Sequence, residues 1–430
     1  MQGIYLIALG GAVLWGMTRL VKSLRQGILC GLLVTSLCRE ALPLQFVDGI
    51  GIALQLGFFG LASIYVLFRG QVHKRYVANP YNILVIGLSM VMIGYIFVST
   101  AEGYGVSKVF ILLLKSIIPI FLISSMAPFQ REELRVGFYT LIGASVLAAL
   151  SILTSSTLGE ERATTGGVNA ISMSRSIGIG MTLLIGFAVV SKKVHLLKLF
   201  VGAVLSAGLL SAMAATGSRG PVGAFIAATV ILVFAVPVSL RERFVTLGKF
   251  GVFIGMAAGG VMYYGLENAL RQSAGLQRIV LKMGELGSGT SDQARLRRIW
   301  VAIEEFFQSK GLGIGTGEFL HVYPYRSGAN REYPHNLFLE VAAEQGLLGL
   351  FIVTLALSIV VVKFYRTSTK HKENTFVKIT FTLFVYAFFN AMVSGDIPMN
   401  SLLWISGSML WLVCESELRR HKSRRALASF

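Results

Sequence analysis

Pro334-His335-Asn336 is the tripeptide of this chain best equipped for chemistry, because a histidine titrates near neutral pH and can take a proton from an attacking hydroxyl. His335 shares the polar stretch from Glu267 to Gln345 with Arg295-Leu-Arg-Arg298 and Gly313-Ile-Gly315-Thr-Gly317. Arginine suits phosphate, since its planar fork donates two hydrogen bonds and stays protonated. Arg175 and Arg219 stand at the ends of apolar segments, on the side of the membrane to which the charge pattern also assigns the polar stretch. For each arginine alone, snorkelling or a carbonyl contact at a helix end is the stronger reading; together they suit one bound anion. The glycine run is no nucleotide fingerprint, because no strand precedes it. No His, Cys, Asp or Glu cluster has metal-ligand spacing, so the expected chemistry needs neither metal nor other cofactor.

The elements that must position these groups are apolar helices. Of 430 residues 54% are hydrophobic and only 14% charged, and the mean hydropathy is +0.69, which excludes a soluble globular chain of this size. Segments long enough to cross the hydrocarbon core fall at 3–18, 27–44, 47–68, 81–99, 107–126, 136–155, 172–191, 195–214, 220–240, 250–266, 346–365, 378–395 and 399–415, about 13 in all. The expectation is an all-α polytopic membrane protein of about 12–13 transmembrane helices. Helices 1–10 would occupy 1–266, a large polar loop with short helices 267–345, the last helices 346–418, and a basic tail 419–430.

A net charge of +18 would suit nucleic acid, but Lys and Arg gather in alternate short loops, as a topology signal requires. Basic loops such as Arg69/Lys74/Arg75, Arg131/Arg135 and Arg366/Lys370/Lys372, with the tail Arg419-Arg420-His421-Lys422, mark the cytoplasmic side. The 267–345 insert then lies outside. The first segment, with no Lys or Arg before Thr18, reads as a retained helix rather than a signal peptide. Cys30, Cys38 and Cys414 lie in apolar runs and behave as small hydrophobes. Lys108 is expected at the membrane interface; Lys115, two turns deeper, is expected to face the interior or a cavity in a structural pairing.

Within the insert, Ser291-Asp292 opens a helix whose Leu296, Ile299, Trp300, Ile303, Phe306 and Phe307 recur at spacings of three and four. Such a helix suits either the membrane surface, with its arginines at headgroup depth, or packing on the transmembrane bundle. The glycines at 311, 313, 315 and 317 permit tight turns and close backbone approach. Asn336 is placed to cap a short helix that runs through Ala343 and ends at Gly346, leaving His335 just before a helix start, where a neutral imidazole is favoured.

This arrangement resembles the O-antigen ligase and polymerase superfamily. The resemblance rests on Ser218-Arg219-Gly220, the stretch from Arg295 to Trp300, Gly311-Leu-Gly-Ile-Gly-Thr-Gly-Glu-Phe319, Pro334-His-Asn-Leu-Phe-Leu-Glu340 and Glu344-Gln-Gly-Leu-Leu-Gly349. Tyr104-Gly105 with Lys108, and Arg175 near its helix start, match more loosely. The resemblance implies a periplasmic loop between late helices of an inner-membrane protein. It also implies inverting transfer of a glycan from undecaprenyl pyrophosphate to a sugar hydroxyl on lipid A-core or on a second lipid-linked glycan, without nucleotide sugar or metal. Arg175, Arg219 and Arg295 would then hold the pyrophosphate and His335 would serve the acceptor hydroxyl; Lys108, Arg298 and Asn336 are further candidates for substrate contact. The clear glycine and His-Asn pattern favours a ligase over a repeat-unit polymerase. A flippase of lipid-linked oligosaccharide would also bind pyrophosphate through arginines, but it has little use for a folded outer loop carrying a histidine, and the chain shows no internal repeat.

Overall fold

The computed structural model describes residues 23–38, 50–69, 73–154, 169–190, 196–234, 244–245, 247–248, 250–251, 290–323, 332–370 and 375–428. The described residues form helices and no strands. In chain order the helices are α1 (Leu24–Leu37), α2 (Ile50–Arg69), α3 (Lys74–Val77), α4 (Pro80–Ile96), α5 (Glu102–Leu112) and, beyond a π-helical turn at Leu113–Ile117, α6 (Ile118–Ser125). Then come α7 (Arg131–Leu153), α8 (Ala170–Val190), α9 (Leu196–Ala215), α10 (Arg219–Phe234), α11 (Thr290–Gln308), α12 (Phe319–Val322), α13 (Leu337–Lys370), α14 (Thr375–Val393) and α15 (Ser401–Ala428). Five continuous stretches are long and apolar enough to cross a membrane, namely Gly103–Ser125, Arg131–Leu153, Ala170–Val190, Leu337–Thr369 and Thr375–Val393, and five shorter apolar helices accompany them. The protein is an all-α, multi-pass membrane protein. Of the expected spans, 3–18 and all but 250–251 of 250–266 lie outside the described residues, as do 267–289 and 324–331 of the insert; the described part of each other span falls largely on a helix.

Two compact units interleave along the chain, one of Met1–Gly70, Phe129–Gly284 and Ser368–Tyr386, the other of Gln71–Pro128, Glu285–Thr367 and Ala387–Phe430. In the first, small residues let helices approach closely, a packing mode suited to lipid, where apolar burial alone does not drive helices together. A Cβ on Gly186 of α8 would meet Ile379 of α14 at 3.2 Å. Ser145 of α7 donates to the Ser176 carbonyl of α8 at 2.7 Å. Gln130 and Glu133 form a capping box at the start of α7, and Glu133 also pairs with Arg25 at 3.2 Å.

In the second unit Asn79 caps α4 by accepting from the Asn82 amide at 3.0 Å, and Pro80 occupies the first turn, where no N–H is needed. The Asn82 side chain joins three helices: it donates to Ser124 of α6 at 2.9 Å and accepts from Ser408 of α15 at 2.8 Å. Pro119 explains the π-helical turn, because it has no N–H for the carbonyl four residues back, that of Lys115. Lys115 itself is half-buried and reaches Met399 Sδ at 3.5 Å. The basic tail continues the helical run of α15. Arg75 and Lys363 both pair with Glu415, the latter at 2.7 Å, and the Arg419 guanidinium lies over the Tyr76 ring at 4.8 Å.

Candidate active site

His335 has φ +60°, in the left-handed region that few residues other than glycine adopt. The strain is held in place from both sides. Pro334 before it is buried and rigid, and Asn336 after it caps α13, its Oδ1 accepting from the Leu339 amide at 3.2 Å while its Nδ2 donates to the Met392 carbonyl at 3.2 Å. The His335 ring packs on Tyr333, with centroids 4.4 Å apart. A half-buried histidine is therefore presented at a helix start by a backbone that its neighbours determine, as held reactive groups often are. Both ends of the Asn336 amide are used within the protein.

The glycine run serves α13. Gly346 interrupts that helix with φ +64° and ψ −157°, which orphans the carbonyls of the preceding turn. The glycine loop satisfies them: the Ile314 amide donates to the Ala343 carbonyl at 2.9 Å and the Gly315 amide to the Glu344 carbonyl at 3.0 Å, while Leu347 returns a bond to the Gly311 carbonyl at 2.8 Å. A Cβ at position 313 would meet the Glu344 carbonyl oxygen at 2.7 Å, so the approach requires glycine. The expected turns, close approach and helix end at Gly346 are all present. Gly346→Ala places a side chain in backbone space almost exclusive to glycine and 2.5 Å from the Leu312 carbonyl carbon; the expected loss is about 1–3 kcal/mol or more, read as a lowered thermal midpoint in detergent.

Lys108 departs from expectation. Instead of lying at the interface it is 1% exposed, with Nζ at 2.5 Å from Glu340 and 2.8 Å from both oxygens of Glu344. The reason is tertiary: Glu340 and Glu344 stand one turn apart on α13, facing the same way, and a lysine on α5 is the cation that meets them. Glu340 also accepts from the Ile397 amide at 3.0 Å, and Tyr104 donates to the buried Asp396 at 3.3 Å. The start of α13, and hence the His335 turn, is thus fixed to α5 and to the 396–400 turn. Sequence reasoning assigned no role to Glu340, Glu344 or Asp396. The available signal was the pair of carboxylates four apart entering an apolar run.

On α11, Arg298 is committed to Glu332, at 2.9 Å, and stacks over the Tyr323 ring at 4.9 Å. Arg295 is half-buried and Arg297 exposed on the same helix. Ala302 of α11 packs with Phe319, Tyr323 and Ala343, which joins the insert helix to the start of α13.

Glu318 anchors the next turn. Its carboxylate accepts from Ser99 Oγ and Thr100 Oγ1, both at 2.8 Å, and from the amides of Thr100 at 2.6 Å and Ala101 at 3.1 Å. Burial alone would push this carboxyl up, but the hydroxyl and amide donors together outweigh it and hold Glu318 below the usual carboxylate value of 4.5. Because the folded value lies below the unfolded one, the stabilisation is full above about pH 4.5 and is lost as pH falls through the folded value. Thermal midpoints measured at falling pH should therefore drop below that point. In Glu318→Gln, which keeps one acceptor without the titration, this component of the drop should vanish.

Arg175 and Arg219 belong to the first unit. Arg175 sits in the second turn of α8, half-buried, and its carbonyl accepts from Tyr386 at 3.0 Å. Arg219 opens α10, just after the turn at Thr216-Gly217-Ser218. α8 packs on both α9 and α10, and short connections between successive helices make them antiparallel, so both arginines stand at one end of this group. His335, Arg295, Arg298, Lys108 and Asn336 belong to the second unit.

The first unit thus carries arginines at the ends of apolar helices, and the second a histidine held at a helix start with a glycine turn buttressing the same helix. Residues 203–354 match the family model for O-antigen ligase. The match bears out the resemblance to the O-antigen ligase and polymerase superfamily and spans Arg219, Arg295, Arg298, His335 and Asn336. It supports an enzyme of the glycosyltransferase type, embedded in a membrane and acting on lipid-linked glycans. No curated protein matches the chain.

Proposed function

We propose that the protein is an O-antigen ligase: an inverting glycosyltransferase that moves a glycan from undecaprenyl pyrophosphate to a sugar hydroxyl of lipid A-core, at the periplasmic face of the inner membrane. The observation that carries this reading is His335, set in a left-handed turn at the head of α13, inside the stretch that matches the O-antigen ligase family. In the proposed step the acceptor oxygen forms its bond to the anomeric carbon as the bond from that carbon to the pyrophosphate oxygen breaks. The acceptor proton passes to His335, and the electron pair of the broken bond leaves with the pyrophosphate. Arg175, Arg219 and Arg295 would receive that developing charge, which makes the leaving group better without calling on a metal.

The arginines differ in what supports them. Arg298 is occupied by Glu332, which counts against it as the insert arginine for phosphate. Lys108 is occupied by Glu340 and Glu344, so it supports the site by holding α13.

Purified protein would be given an undecaprenyl-pyrophosphate-linked oligosaccharide together with either lipid A-core or a second lipid-linked repeat. Product on lipid A-core supports the ligase. Extension of the lipid-linked repeat makes the enzyme a polymerase. Transfer to neither acceptor by folded, donor-binding protein overturns the ligase reading in favour of a flippase or a transferase with a different acceptor.

A further inference from the structure

The helix α11 has three distinct faces, and one of them is apolar and largely exposed. At 3.6 residues per turn, Leu296, Phe307 and Trp300 lie within about 40° of arc. These three are 48%, 71% and 67% exposed. To one side of them the helix carries exposed Gln293, Glu304, Arg297 and Gln308. To the other side come half-buried Ile303, Ile299 and Phe306, and then Ala302, which is fully buried against Phe319, Tyr323 and Ala343. The exposed apolar stripe is thus wedged between a polar face and a packed face.

The stripe is continuous with surface that must face lipid. The Gly311 amide closes α11 by donating to the Phe306 carbonyl at 2.9 Å, and a Cβ on Gly311 would touch both the Phe306 ring, at 3.6 Å, and Leu347, at 3.1 Å. From there exposed Leu312 leads to exposed Leu347, Leu348 and Phe351 on the membrane-crossing part of α13. A monomeric soluble surface rarely carries so connected an apolar patch.

We infer that α11 lies along the membrane boundary at the Gly346 end of α13, with Leu296, Trp300 and Phe307 seated among the lipids of that leaflet. The occupant is the bilayer itself. An indole at the boundary and an arginine beside it are the side chains that settle at headgroup depth, and the polar face of Gln293 and Glu304 remains in water. The insert is thereby tethered at a fixed depth, and the His335 turn, joined to α11 through Ala302 and Ala343, is held close to the lipid surface where a lipid-linked substrate would present its headgroup. The tether stands on the multi-pass fold alone and does not depend on the transferase reading.

The test uses the full chain with Cys30, Cys38 and Cys414 replaced by alanine, reconstituted in vesicles of phosphatidylethanolamine and phosphatidylglycerol. Nitroxide labels are placed singly on Trp300→Cys, Phe307→Cys, Gln293→Cys and Glu304→Cys. Labels at 300 and 307 should collide more often with oxygen than with a water-soluble nickel chelate, and labels at 293 and 304 should show the reverse. Equal chelate access at all four positions overturns the inference. Spin–spin broadening at 300 and 307 that disappears on dilution with unlabelled protein also overturns it, since a second copy would then cover the stripe.

Discussion

In His335→Ala, glycan transfer should fall by about two to four orders of magnitude, the contribution typical of a positioned general base. The variant should fold, because the substitution removes a ring that packs on the half-buried Tyr333 and leaves the Asn336 cap and the Glu340 pairing in place. Alanine carries a penalty for the φ of +60°, so a modest drop in thermal midpoint is expected as well. His335→Gly separates the two effects: it relieves the strain but restores no base, so it should regain stability and stay inactive. Transfer by His335→Gly at the wild-type rate would remove His335 from the chemistry. Arg219→Ala, run in parallel, should weaken use of the pyrophosphate donor while leaving the His335 turn unchanged.

Lys108→Met is expected to cost about 3–5 kcal/mol of stability, the scale for removing one partner of a buried ion pair, because Glu340 and Glu344, both fully buried, lose the cation that pairs with them. Unfolding in detergent, followed by the loss of helical signal, reads the effect. The triple variant Lys108→Met/Glu340→Gln/Glu344→Gln removes the charges together and should recover most of the loss, since replacing a whole buried ionic group is often close to neutral. Recovery would establish that the lysine acts on α13 through charge. A single variant as stable as wild type would show that the cluster contributes nothing to the fold. Transfer activity should follow stability in the single variant, as the His335 turn depends on the anchored start of α13.

Much of the insert was legible before the structure. The spacing of Leu296, Trp300 and Phe307 marks an amphipathic helix, and one runs from Thr290 to Gln308. Of its two expected environments, packing on the protein is seen at Ala302, while Trp300 stays exposed. Asn336 as a cap and Gly346 as a helix end follow from local backbone chemistry, which depends on residues a few positions apart. Lys108 could not be read that way, because its partners lie 232 and 236 residues further along the chain. The same holds for Arg298, whose pairing with Glu332 spans 34 residues.

The sequence by itself determined the multi-pass helical fold and the motifs on which the resemblance to the superfamily rests, because hydrocarbon demands long apolar helices and caps and breaks are written in neighbouring residues. Only the tertiary structure decided which cations are already spent on buried carboxylates and which face of α11 is packed against the described residues. A charged side chain in an apolar surrounding must find its partner wherever the fold brings one, and distance along the chain carries no record of that choice.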